Sequence, residues 1–397
     1  MTDFARTRSL FNLPPGVIYL DGNSLGPPTI GTSDALTQLV QEEWGGQLIK
    51  SWNSAGWMTQ PRILGDRIGQ LVGAPQGTIV VGDTLSIKVF QTLAAALDMN
   101  PKRHVILSDT GNFPSDLYIA EGLARMLGRG HTLKLVAPEA VLSAIDNEVA
   151  VVMLTEVDYR TARRHDMKAV TRRAHEVGAL TVWDLAHSTG AIPVDLRGAG
   201  ADFAAGCTYK YLNAGPGAPA FVYVAEEHAD SIQPVLSGWL GHEAPFSFDL
   251  DYRAGRGIER MRVGTPPVIA LAALQTALSA WEGVAVDEVR AASIELSELF
   301  ISEVERRCRE LILASPRDPA ERGSHVSFRH GEGYAVMQAL IARGVIGDFR
   351  APAMMRFGIT PLYIGEREIR EAVDVLEDVL TRRLWTAPEY HRKTFVT

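Results

Sequence analysis

DLAHSTGAIPVDLRGAGADFAAGCTYKYLNAGPG, residues 184–217, is the stretch whose reading decides the fold. Its first residue, Asp184, ends the apolar run ALTVWD (179–184). A second apolar run, DFAAGCT (202–208), follows, and Lys210 lies just past it, 26 residues after Asp184. Short apolar runs bounded by turn residues read as buried strands. Working outwards, TIVVGD (78–83), HVILSD (104–109), VAVVMLT (149–155) and PAFVYV (219–224) have the same character. Helical stretches lie between them. Leu85, Val89, Leu93 and Leu97 recur at i+4 spacing, and DLYIAEGLARML follows Phe113-Pro114-Ser115. Asp166 is placed to cap MKAVTRRAHEVG and Gly178 to stop it. Buried strands alternating with amphipathic helices predict an α/β protein with a mostly parallel sheet covered on both faces.

Beyond Pro266 and Pro267 the pattern changes. VIALAALQTALSAWE and about 287–309 read as helices, SHVSFRH (324–330) as a strand and GYAVMQALIARG as a helix. VIGDFR and MMRFGI are strand-like, and a last helix covers about 366–384. This predicts residues 1–55 as an N-terminal segment packing on the small domain or a partner subunit, 56–265 as the large domain, and 266–397 as a linking helix and small C-terminal domain.

Ligands of open parallel sheets bind at the carboxyl ends of the strands. Lys210, Asp184, His187, Phe113 and the helix start at Leu85 and Ser86 all fall there. A lone lysine is most often a solvated surface group, and a lone aspartate after a strand a turn residue or cap. Together they fit an aldehyde cofactor with a pyridine ring and a phosphate. The lysine forms the Schiff base, the carboxylate keeps the ring nitrogen protonated, a flat side chain stacks on the ring, and helix-start amides take the phosphate. That is a reading for pyridoxal 5′-phosphate (PLP). The neighbours of Lys210 are poor in charge, so a shielded amine suited to imine chemistry is expected.

The segment 184–217 resembles the core of the kynureninases, fold-type-I PLP enzymes close to the class V aminotransferases and cysteine desulfurases. LDGNSLGPP (20–28), FPSD (113–116), SGWLGH (237–242), RVGTPP (262–267) and MRFGITPLY (355–363) extend the resemblance over most of the chain. It implies a large, mostly parallel seven-stranded sheet domain covered by helices, with a smaller C-terminal α/β domain. It implies that Lys210 carries the cofactor, Asp184 pairs with the ring nitrogen, and Phe113 stacks on the ring. Leu85 and Ser86 would bind phosphate beside Pro114 and Ser115. Asp116, Thr155 and His187 would line the pocket, and Tyr209 would bond the phosphate and relay protons. Trp239 and Thr265 would reach the phosphate, partly from a neighbouring subunit; the family often has Asn where this chain has Thr265. Arg356 would fork onto the substrate α-carboxylate, with Asn23, Ser24 and Trp57 facing the substrate; Trp57 could equally be a packing aromatic.

The implied reaction is hydrolysis of L-kynurenine, with 3-hydroxy-L-kynurenine as an open second substrate, to an anthranilate and L-alanine in a homodimer with interfacial sites. The alternatives are an aminotransferase and a cysteine desulfurase. The latter needs a mobile nucleophilic cysteine, which neither Cys207, in a strand, nor Cys308, in a helical run, supplies.

Composition narrows the rest. The net charge is −8, without the basic field of a nucleic-acid binder. Two cysteines and no CxxC argue against a disulfide framework or a zinc knuckle. No HExxH or Cys/His cluster suggests a metal, and GRGIER (255–260) does not complete a dinucleotide fingerprint. No uncharged run is long enough to span a membrane. MTDFARTRSLFNLPPG at the start has no apolar signal core, so a cytoplasmic protein is expected.

Overall fold

Val149–Thr155 is buried along its whole length, as a strand covered on both faces must be. It lies within a seven-stranded sheet in the computed structural model, which describes residues 1–393. The strands are β1 (Ile79–Val81), β2 (Val105–Asp109), β3 (Thr132–Val136), β4 (Val149–Thr155), β5 (Leu180–Asp184), β6 (Phe203–Gly206) and β7 (Phe221–Val224). Their order is β1-β7-β6-β5-β4-β2-β3. All run parallel except β7, which is antiparallel to both β1 and β6. Register places Thr155 beside Asp184 and Asp184 beside Ala205, so the strand ends that carry chemistry are level.

Helix α1 (Gln60–Leu71) precedes β1, α2 (Leu85–Met99) follows it, α3 (Pro114–Leu127) follows β2 and α4 (Met167–Val177) follows β4. Val89 and Leu93 of α2 and Leu123 of α3 pack on Val151, Met153 and Val182 at one face of the sheet. Leu64 and Ile68 of α1 and Val170 of α4 pack with Val152, Leu154 and Trp183 at the other. The caps expected from sequence are present. The Asp166 side chain accepts from the Ala169 amide, and Gly178, at φ +78°, closes α4.

After α5 (Val268–Ser279) and α6 (Val286–Arg307), a second sheet of four antiparallel strands runs β10-β11-β9-β8. These are β8 (Ile312–Leu313), β9 (His325–Arg329), β10 (Asp348–Arg350) and β11 (Met354–Gly358). Helices α7 (Gly333–Ile341) and α8 (Glu366–Thr381) complete this layer. Phe300 of α6 closes its core, 5.0 Å from Phe357 and 6.0 Å from Phe328 between ring centres.

Two expectations change. TLKLV, read from sequence as no element, is strand β3. It is an edge strand with no fully buried residue, so it carries no apolar run. VIGDFR is not one strand. It breaks at Gly347, where an added Cβ would sit 2.7 Å from the Arg356 carbonyl oxygen. Its first half, Val345–Ile346, pairs in parallel with Ile18–Tyr19 of the N-terminal segment. That segment then reaches the loop that carries Lys210: the Gly26 amide donates to the Tyr209 carbonyl at 2.8 Å. A side chain at Gly26 would collide with the Lys210 carbonyl, 2.2 Å from an added Cβ.

At the opposite end of the sheet, Asp202 accepts from His175 (2.8 Å), His228 (2.9 Å) and the Thr181 amide (2.8 Å). Burial works to raise its carboxyl, but these partners outweigh it and hold it at about 2, against an ordinary 3.8. This stabilises the fold above pH 3.8 and is lost as pH falls towards 2. Asp202→Asn is expected to lower unfolding free energy at pH 7 by about 2 kcal/mol. The gap from wild type should close as urea titrations are repeated down to pH 2; a gap independent of pH would refute it.

Candidate active site

Two helix starts meet at the carboxyl ends of β1 and β2. Thr84 caps α2 by accepting from the Ile87 amide, which leaves Leu85 and Ser86 in the first turn. Pro114 opens α3 after Phe113, and Ser115 Oγ lies 3.1 Å from Ser86 Oγ. Unpaired first-turn amides with hydroxyls beside them suit a phosphate. Lys88, one turn into α2, is buried and binds Asp83 (2.9 Å), Gln91 (2.9 Å) and the Met261 carbonyl (3.3 Å). It ties this helix start to the chain leading to Thr265. Sequence reading passed over it, since a helical lysine normally signals a solvated face.

The carboxylates come next. Asp184 ends β5 fully enclosed; its Oδ1 accepts from the Ala186 amide at 2.7 Å. Thr155 Oγ1 lies 3.4 Å from Asp184 Oδ2 but donates more closely, at 2.5 Å, to Asn112 Oδ1. Asn112, absent from the sequence reading, also accepts from the Phe113 amide at 2.7 Å and so fixes the turn that presents Phe113. Burial first, and the neighbouring Asp184 second, push the Asp116 carboxyl well up. Of the pair Asp116 is pushed up further, which makes it the member that keeps a proton and a candidate donor towards Asp184. Burial raises Asp184 too, opposed by the charge of Lys210.

Lys210 follows β6 with its Nζ 5.7 Å from the Tyr209 ring centre. It is half-buried, less shielded than its uncharged neighbours suggested. Burial, then Cys207 and Asp184, raise the Tyr209 phenol, so it stays protonated. Burial foremost, then the charge of Lys210, drive the His187 imidazole well down, so it is neutral. Burial also raises the Cys207 thiol, which disarms it as a nucleophile. Cys308 caps the end of α6, buried, its thiol pushed up to about 11 mainly by burial.

Arg356 on β11 is buried to 2% exposure and pairs with Asp348 of β10. Its Nε donates to Asp348 Oδ1 at 2.6 Å, and Nη2 reaches Ser24 Oγ at 3.1 Å. Nη1 donates to the Tyr159 carbonyl. Asp348 thus lies on the Nε–Nη2 edge of Arg356, the edge that would fork onto a substrate carboxylate. Nothing in VIGDFR marked Asp348, because only strand register opposes it to Arg356. Asn23 is fully buried with both side-chain amide atoms unpartnered. The Tyr159 ring stands edge-on to Phe113 at 5.1 Å. Its loop is pinned by Asp158, which accepts from the Arg160 and Thr161 amides, and by His165 on Asp109 at 2.5 Å.

Three expected residues lie apart from this cluster. Trp57 is buried, edge-on to Trp52 at 5.4 Å, its Nε1 donating to Glu43 at 2.8 Å; packing accounts for it. Trp239 is exposed against Phe246, and Thr265 is also exposed.

The cluster fits pyridoxal phosphate on its orphaned groups. Asp116 Oδ2 and His187 Nδ1 are buried without partners, and among the described residues no cation is in contact with Asp184. The Phe113 ring is 44% exposed at the same place. A flat ring with a cationic N–H and a phenolic oxygen answers each of these. Among the described residues no group of His, Cys, Asp and Glu could hold a metal, and no helix is long and apolar enough to cross a membrane.

Known proteins bear on the reading. The family profile "Kynureninase C-terminal domain" matches residues 289–376. The chain is 51% identical to a kynureninase of Pseudomonas fluorescens over 99% of its length and 96% of that protein. It is 48% identical, with the same coverage, to one of Burkholderia pseudomallei. Among solved structures, a cysteine desulfurase from Thermococcus onnurineus superposes with a TM-score of 0.82 at 19% identity, and one from Escherichia coli with 0.81 at 17%. Each comparison covers 96% of this chain and 99% of the other. At those identities the likeness shows the fold-type-I architecture.

Asp116→Asn keeps a neutral donor facing Asp184, whereas Asp116→Ala removes it. Retention of pyridoxal phosphate after dialysis is expected to be near wild type in the first and about tenfold weaker in the second. Equal losses would refute the donor role.

Proposed function

The chain belongs to the kynureninase family, and from that premise we propose that it is a pyridoxal phosphate-dependent hydrolase. It cleaves the Cβ–Cγ bond of L-kynurenine, releasing anthranilate and L-alanine. The observation that carries this reading is Asp184, buried at the end of β5 and level with Ala205 on the strand that leads to Lys210.

Pyridoxal phosphate, when bound, supplies an electron-accepting ring that stabilises negative charge on substrate carbons. The other tasks fall to side chains. Asp184 is ionised at least cost beside a cation, so it favours a protonated ring nitrogen. Asp116 donates to the same carboxylate and fixes its direction. Leu85, Ser86 and Ser115 bring the helix-start amides and hydroxyls to the phosphate, and Phe113 stacks on the ring. Lys210 would hold the cofactor through its carbonyl carbon, and its amine would take the substrate α-proton. The Tyr209 phenol, held protonated, serves as an acid, returning a proton to carbon as alanine leaves. Arg356, with Asn23 and Ser24 beside it, holds the carboxylate end of the substrate.

Trp239 and Thr265 lie exposed, outside the cluster, which supports their reaching the phosphate from the neighbouring subunit of a homodimer. The large domain (56–265) holds the cofactor, the small domain (266–397) the carboxylate, and the enzyme works in the cytoplasm. A desulfurase role is disfavoured by the buried Cys207 thiol.

Purified protein supplied with pyridoxal phosphate should release fluorescent anthranilate on addition of L-kynurenine, and Lys210→Ala should abolish it. Tyr209→Phe is expected to lower kcat about a hundredfold with little change in KM. A yellow protein that forms no anthranilate would move the function to the aminotransferase alternative.

A further inference from the structure

Arg356 has little left to offer a substrate. A guanidinium carries five N–H groups. Nε and one Nη2 hydrogen go to Asp348, the other Nη2 hydrogen to Ser24 Oγ, and one Nη1 hydrogen to the Tyr159 carbonyl. One Nη1 hydrogen remains. A two-pronged grip on a carboxylate needs two parallel N–H bonds, and the Nε–Nη2 edge that would provide them is occupied by Asp348. Ser24 reinforces that arrangement by donating to Asp348 Oδ2 at 2.5 Å.

A second guanidinium shares the same carboxylate. Arg350, on β10 with Asp348, places Nη2 2.9 Å from Asp348 Oδ2. Its Nη1 donates to the Phe349 carbonyl at 3.0 Å. Its Nε has no partner among the described residues, and each terminal nitrogen keeps one hydrogen. Unlike Arg356, its side chain is 38% exposed. It belongs to the same buried cluster, paired with the Asp348 carboxylate that Arg356 and Ser24 also bind. The charges leave room for an anion. Burial first, and Asp348 second, raise the Asp21 carboxyl to about 7; its Oδ1 is buried without a partner. Near neutral pH the two guanidinia therefore face one full carboxylate, Asp348, and a partly protonated one.

We propose that Arg350 is a second carboxylate-recognising residue, gripping the substrate α-carboxylate together with the free Nη1 hydrogen of Arg356. This rests on the reading that the substrate is an α-amino acid. Arg350 reaches out from the shared Asp348, and Arg356 anchors the cluster from behind.

The test uses holoenzyme and the variants Arg350→Gln and Arg350→Lys. L-Alanine and L-alaninamide, alike in size but differing in the carboxylate, are titrated against each protein by the change in cofactor absorption. KM and kcat for L-kynurenine are measured beside them. Arg350→Gln is expected to weaken L-alanine binding and raise KM by about tenfold or more, with L-alaninamide binding unchanged, and Arg350→Lys to recover part of the loss. Unchanged L-alanine binding, or equal weakening of acid and amide, would overturn the proposal. The alanine titration does not depend on turnover. Failure of wild type to release anthranilate would therefore reject the kynurenine reading while Arg350 is still judged.

Discussion

Asp184 ends the central strand β5 with 4% of its surface exposed, and an isolated charge so placed costs several kcal/mol. The surroundings are organised around that cost. The Ala186 amide turns back onto the carboxylate, Asp116 faces it as a protonated donor, and Lys210 approaches from the next strand. Asn112 holds Thr155 and the Phe113 turn in the same plane of contacts. What remains is a carboxylate short of one cation, and an exposed Phe113 ring at the end of the neighbouring turn. A protonated pyridine ring has that shape and charge.

A second buried charge system joins the N-terminal segment and the two sheets. Arg356 and Asp348 belong to the small sheet, Tyr159 to a loop of the large one, and Ser24 to the N-terminal segment. Removing one partner of such a pair would leave an uncompensated charge, a loss of about 3–5 kcal/mol. The same interaction thus fixes how these parts meet and where a substrate carboxylate is received. Arg350, 38% exposed, shares the Asp348 carboxylate with that anchor.

Several features were legible without coordinates because their causes are local. Asp166 before Met167 and Gly178 after Val177 follow from helix-end chemistry, and the fully buried β4 from its unbroken apolar run. Strand β3 was not legible, because an edge strand faces solvent and needs no apolar signature. The break at Gly347 was hidden too, since what keeps that position glycine is the Arg356 carbonyl on a neighbouring strand. In the site, Lys210 and Asp184 stood out by their positions after strands, whereas Asn112, Lys88, Asp348 and Tyr159 look ordinary in isolation.

The sequence by itself determined the alternation of buried strands and helices, the caps that bound them, and which residue types gather at the strand ends. Periodicity and capping are short-range effects, carried by residues a few positions apart. Only the tertiary structure decided which of the two carboxyls, Asp116 or Asp184, keeps its proton, and that the Arg356 fork is occupied. Those outcomes depend on burial and on Coulomb interactions between groups far apart in the chain, such as Arg356 with Tyr159 and Ser24. Such interactions acquire their strength only when packing has excluded water around them.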